Sequence, residues 1–271
     1  MTTQIINLAF FTLSCLSLDI FWITIVTESL KIRINPDAVT EQVPINDKFF
    51  AIIVDDFLLN PDELLEYAKT HRSEFEISQR SYPGEVLDLE PGSVEQISRF
   101  WRSRLSRVFS FARIGIKDSC QISLTTLQPK DFSWIQRLPH TDPRSDPGKE
   151  NIALLVYLFD NPDLGGTGFY RYRDIKFWES MKPKQVDDPD GGFSIVETRY
   201  PMFGDPPKYP SESNQAVELI TMVPAKFNRM LCYSGDILHS AYIPDASLLS
   251  EDCSRGRLTL NGFASVWPKQ N

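Results

Sequence analysis

Histidine is scarce in this 271-residue chain, with three residues at positions 71, 140 and 239. Cysteine is scarce as well. Cys15, Cys120, Cys232 and Cys253 are never paired at metal-ligand spacing, and they offer no disulfide framework. A reducing compartment is therefore expected. Basic charge is in deficit: the formal net charge is -8, which argues against a nucleic-acid partner, since such proteins carry a basic face. No internal repeat is present. No Lys or Arg precedes Lys31, so the charged n-region of a signal peptide is missing.

A clean membrane span is lacking too. Ile5 to Leu18 is almost wholly apolar and Ile20 to Val26 resumes the run, a total that could nearly cross a bilayer. Asp19 interrupts it mid-segment, where a charge costs roughly 2.5–3.5 kcal/mol on insertion scales. Three readings of residues 1–33 stay open: a signal-anchor, a packed N-terminal helix, or an upstream stretch outside the working protein. The last two are favoured over membrane contact, so a cytoplasmic location is expected, with membrane anchoring as the alternative. The sequence does not settle the oligomeric state.

What is plentiful is proline (19) and aromatic residues (12%), which favour a loop-rich β protein over a helical bundle. Lys48 to Val54 reads as a buried strand. Asn60 as N-cap, Pro61 at N1 and Asp62 and Glu63 in the first turn mark a helix start. Tyr82-Pro83-Gly84 is a turn. A second helix is predicted from Ser93, with Gln96 completing a capping box. Its apolar positions are Val94, Ile97, Trp101, Leu105 and Val108, and Arg99, Arg102, Arg104 and Arg107 form its solvated side. From about residue 111 the texture is β. Strands are predicted at Gln121–Leu127, Ile152–Phe159, Thr167–Tyr172, Leu219–Val223, Arg229–Tyr233, Ile237–Tyr242 and Arg257–Phe263, as in a sandwich or jelly roll. Residues 173–214 are rich in proline and too long for an ordinary connection, and they read as a lid. His71, beside the C-terminus of the first helix, reads as structural or surface and not as a ligand.

His140-Thr141-Asp142 carries the chemistry. Residues two apart on an extended chain point to the same side, so both side chains can reach one metal. His239, from another strand, supplies the third ligand. Two imidazoles and one carboxylate form a facial set for Fe(II) with positions left open, although the same donors also suit catalytic zinc.

Around that set the order of motifs is informative. His140 and Asp142 are followed by Val156-Tyr157-Leu158-Phe159-Asp160, then Leu164-Gly165-Gly166-Thr167-Gly168-Phe169, then His239, then Arg257-Leu258-Thr259. The chain resembles the Fe(II)- and 2-oxoglutarate-dependent oxygenases over residues 48–264. The likeness is to the prolyl-4-hydroxylase-like branch and to a bacterial group of that superfamily without assigned function. The resemblance implies a mainly β fold with flanking helices (α+β) around a double-stranded β-helix, a jelly-roll or cupin-like core. It implies one oxygenase domain at 34–271, with strand and helices at 34–110 and the jelly roll at 111–271. His140, Asp142 and His239 would bind Fe(II). Arg257 would pair with the far carboxylate of 2-oxoglutarate, Thr259 would add a hydroxyl, and Tyr157 would touch the same cosubstrate. With O2 as the other cosubstrate, the expected reaction is oxidation, foremost hydroxylation, of a small molecule such as an amino acid, or of a peptidyl residue. Arg171, Arg173 and Trp178 follow the Gly-Gly turn and could face such a substrate. The gap between His239 and Arg257 is longer than the family usually shows, and Arg255 is an alternative anchor. A zinc hydrolase would need neither Arg257 nor Thr259, and a non-catalytic jelly-roll binding protein would retain the fold without turnover.

Overall fold

The computed structural model describes residues 30–78, 82–109, 111–142, 148–174, 186–187, 193–194 and 206–268. The hydrophobic segment 1–29 and most of the lid-like stretch, including Trp178, lie outside the described residues. No described helix is long and apolar enough to cross a membrane.

The N-terminal part opens with β1 (Thr40–Pro44) and β2 (Phe50–Val54), paired antiparallel. α1 (Pro61–Thr70) follows with Pro61 in its first turn. Asn60 sits at the N-cap position but makes no capping bond. Its amide oxygen accepts from Arg33 N and its nitrogen donates to Lys31 O, so it ties the incoming chain to the helix start instead. Two short strands come next, β3 (Glu76–Ile77) and β4 (Gly84–Asp88).

The second helix departs from expectation. Pro91–Val94 is a 3-10 turn, α2 spans Glu95–Phe100, Trp101–Leu105 widens into a π-helix, and α3 (Ser106–Val108) ends the run. There is no capping box, because Gln96 Oε1 accepts from Ile34 N. The expected faces hold. Val94, Ile97, Trp101 and Leu105 are buried, and the four arginines are exposed.

The β region contributes β5 (Phe111–Thr125), β6 (Glu150–Tyr157) and β7 (Gly166–Tyr172), then the short pair β8 (Val186–Asp187) and β9 (Phe193–Ser194). β10 (Val217–Pro224), β11 (Met230–Ser234), β12 (Leu238–Tyr242) and β13 (Arg257–Pro268) complete it. The large sheet has the order β1-β2-β11-β6-β13-β5-β4-β3, and a small sheet has the order β10-β7-β12. All pairings are antiparallel. The two sheets form a jelly roll, as the sequence predicts.

Alternation along β6 shows how the layers are made, because successive side chains leave opposite faces. Ile152, Leu154 and Val156 meet Leu64, Ile97 and Trp101 of the helices in one core. Ala153, Leu155 and Tyr157 meet Phe169 and Val223 of the small sheet in another. β13 alternates likewise: Leu258 and Leu260 go to the helices, leaving Arg257 and Thr259 on the face toward the small sheet. Leu260 is fully buried at the centre of the large sheet. Leu260→Ala is expected to cost about 2–5 kcal/mol in denaturant unfolding, with metal binding intact because the side chain faces away from the site.

His71 is structural, as expected. Its Nδ1 lies 2.8 Å from Tyr67 O, and its ring stacks on Tyr67 at 3.9 Å. Cys120, Cys232 and Cys253 are buried thiols.

Candidate metal centre

The candidate ligand set assembles through backbone pairing. His140 and His239 exchange both amide bonds, each 2.9 Å, so the His-x-Asp segment forms a short continuation of the small sheet at β12. Asp142 N donates to Gly235 O at 2.8 Å, and Gly235 N donates to Asn151 O at 2.7 Å, which docks the segment onto the start of β6. Extended geometry then turns His140 and Asp142 to one side. The ligand atoms of His140, Asp142 and His239 lie within 4.8 Å of one another.

The donors are prepared for a cation. His239 Nδ1 lies 2.9 Å from Ile237 O, and a carbonyl only accepts, so Nδ1 carries the hydrogen and Nε2 keeps its lone pair toward Asp142. Nε2 is 3.7 Å from Asp142 Oδ1. Burial lowers the His239 pKa to about 4, so at neutral pH the contact is between a neutral imidazole and a carboxylate and is not an ion pair. His140 presents an exposed edge but is crowded by protein on its inner side. That burial, then the neighbouring His239, lowers its pKa to about 4 as well. Burial raises Asp142 to about 6, with His140 opposing and Asp236 adding to the rise. Asp142 Oδ2 is buried with no hydrogen-bond partner among the described residues. An orphaned carboxylate oxygen beside two neutral imidazoles fits a divalent cation. Tyr233 packs edge-on to His239 at 4.8 Å and to Phe169 at 5.1 Å, fixing the ring and drying the inner side.

These shifts set a pH dependence. Metal binding at this cluster would require the carboxylate form of Asp142, whose pKa is raised to about 6. The apparent metal affinity is expected to be flat above that value. Below it, affinity should fall about tenfold per pH unit, more steeply as the imidazoles protonate near 4. Titration with Mn(II) between pH 5 and 8 checks this; a pH-independent affinity would contradict it.

A second polar cluster lies between the sheets. Arg257 is 4% exposed. Its Nη2 donates to Gly166 O at 2.8 Å, and its Nη1 reaches Thr125 Oγ1 at 3.5 Å. Its guanidinium lies over Phe159 at 5.6 Å. Nε has no partner, and no carboxylate pairs with the group among the described residues. Thr259, Tyr157, Thr125, Ser123 and Thr167 are buried around it. Thr259 pairs with Tyr157 in register, and the Tyr157 hydroxyl is 2.8 Å from Thr167 Oγ1 on the small sheet. Burial holds the Tyr157 phenol protonated, with Arg257 pulling the other way.

The structure separates the two arginines that the sequence left open. Arg255 is exposed on the loop before β13 and bonds Asp252, whereas Arg257 points inward. Arg171 pairs with Glu218 and Arg173 with Asn214 O, both at the surface. Thr125, Thr167 and Tyr82, whose hydroxyl lies 2.9 Å from Thr125 Oγ1, are polar residues of this cluster that sequence reasoning missed.

A jelly roll carrying a candidate two-histidine, one-carboxylate metal site is the class that fold and site define. The chain belongs to the family of unknown function DUF6445, whose profile matches residues 36–264. No curated protein matches it. Among solved structures it is similar to a prolyl-4-hydroxylase of Pseudomonas putida, at 15% identity and TM-score 0.36, covering 81% of this chain and 93% of that one. It is also similar to SnoK, a non-heme alpha-ketoglutarate-dependent carbocyclase from nogalamycin biosynthesis. There the identity is 12% and the TM-score 0.40, covering 80% of this chain and 79% of that one.

Proposed function

We propose that this protein is an Fe(II)- and 2-oxoglutarate-dependent dioxygenase that hydroxylates an unactivated C–H bond of a small molecule, such as an amino acid or derivative, or of a peptidyl residue. The carrying observation is Arg257. A buried guanidinium whose Nε and charge find no partner among the described residues is costly unless a ligand brings the counter-charge. Its planar fork suits a carboxylate. Thr259 and Tyr157 would supply hydroxyls beside it, and His140, Asp142 and His239 would hold the iron. When bound, iron with 2-oxoglutarate and O2 supplies the oxidising power, giving succinate and carbon dioxide as co-products. The chain's own part is to orient the two ends of the cosubstrate and, through Tyr233, Phe169 and Phe159, to exclude water. A zinc hydrolase would share the three ligands but leave Arg257 without a task.

Thermal melting of the Mn(II)-loaded protein tests the reading. 2-Oxoglutarate should raise the melting temperature in the presence of metal, and glutarate, which lacks the keto group, should raise it far less. Equal shifts from the two diacids, or none from either, would count against the proposal.

A further inference from the structure

Tyr82 lies outside the strands that carry the metal and Arg257. It belongs to the Tyr82-Pro83-Gly84 turn ahead of β4, and that turn is clamped to the end of β5. Thr126 N and Leu127 N both donate to Pro83 O, at 3.3 and 3.2 Å, and Gly84 N donates to Tyr82 O at 3.0 Å. A Cβ at position 84 would stand 2.1 Å from Leu124 O, so only glycine permits this approach. The phenol is thereby fixed at the edge of the Arg257 cluster.

Its hydroxyl lies 2.9 Å from Thr125 Oγ1, the atom that also faces Arg257 Nη1. The Thr259 and Ser123 hydroxyls neighbour it, and burial keeps the phenol protonated. Tyr209 closes the same corner. It is 2% exposed, is anchored through its hydroxyl to Leu127 O at 2.8 Å, and lies near both Tyr82 and Arg257. The Tyr82 hydroxyl also hydrogen-bonds the Thr259 and Ser123 hydroxyls, so a cluster of rotatable donors and acceptors lines this corner beside Arg257. Rotatable hydroxyls grouped beside an arginine with no acidic partner among the described residues fit an anion.

We propose that Tyr82 is a cosubstrate-binding residue whose hydroxyl, with Thr125, hydrogen-bonds the far carboxylate of 2-oxoglutarate next to Arg257. The inference rests on the reading of Arg257 given above and adds a specificity role: Tyr82 favours 2-oxo acids that end in a second carboxylate.

The experiment compares Tyr82→Phe with the unaltered protein, both loaded with Fe(II) under anaerobic conditions. The visible band of the keto-acid chelate is titrated with 2-oxoglutarate and with 2-oxovalerate, which has the same chain length and no far carboxylate. Losing a hydrogen bond to a charged group predicts about a tenfold weaker 2-oxoglutarate affinity, with 2-oxovalerate and metal affinities unchanged. Tyr209→Phe, which removes a hydroxyl bonded to backbone, should leave the ratio of the two acids as it is. An unchanged 2-oxoglutarate affinity in Tyr82→Phe would overturn the proposal. So would an equal loss for both acids, the mark of a mere brace; melting curves confirm that the variant is folded. If the unaltered protein gave no band with either acid, the oxygenase reading itself would fall, and this inference with it.

Discussion

Arg257→Ala is expected to weaken 2-oxoglutarate binding about a hundredfold, since truncating one partner of a buried charge pair costs roughly 2–5 kcal/mol. Affinity for Fe(II) or Mn(II) should not change, because Arg257 is not among the three clustered candidate ligands. Nor should the unliganded fold weaken in proportion: the substitution also removes a buried charge that has no acidic partner among the described residues. Titration calorimetry on the metal-loaded protein reads the first effect and denaturant unfolding the second. Retained 2-oxoglutarate affinity would remove Arg257 from the site, and Arg255, exposed and held by Asp252, is not placed to substitute.

Gly235→Ala is the second large effect expected, at a residue that is not itself a ligand. Gly235 O receives the Asp142 amide, and its Cα faces the Asp142 side chain. A Cβ there would stand 2.6 Å from Asp142 Oδ2 and 2.8 Å from its Cβ. The backbone tolerates alanine, since the residue is not in the left-handed region, so the conflict falls on the carboxylate. Metal affinity is expected to fall by about ten- to a hundredfold, the range seen when groups that orient ligands are disturbed. Folding should be largely kept. Equilibrium dialysis with Mn(II) against a melting curve separates the two. An alanine variant that binds metal normally would show that Asp142 can be held from elsewhere.

Much of this candidate centre was legible in the sequence because its parts sit on strands or on extended backbone, where a two-residue period fixes the facing. His140 and Asp142 share a side for that reason, and so do Arg257 and Thr259. His239 followed from the strand rhythm and from being one of only three histidines. The parts that were not legible depend on tertiary competition. Asn60 and Gln96 carry the chemistry of helix caps, yet both side chains are taken by the chain at residues 31–34. β1 is largely exposed, and β3 and β4 add only short edge pairings, so they lack a strong apolar signature. Tyr82 read only as part of a turn. Its approach to Thr125 arises because β4 pairs with β5, with Gly84 opposite Thr125, a register no local pattern announces. The π-helical widening at Trp101–Leu105 likewise leaves the burial pattern intact, so a 3.6-residue period cannot reveal it.

The central claim is that the His140–Asp142–His239 cluster holds a metal that chelates 2-oxoglutarate. The most direct measurement is anaerobic addition of Fe(II) and then 2-oxoglutarate to the metal-free protein, watching for the weak visible charge-transfer band of the chelate. The account predicts a band in the unaltered protein that is lost in both His140→Ala and His239→Ala. Tight metal binding with no band would contradict it and shift the weight to zinc chemistry or a non-catalytic fold.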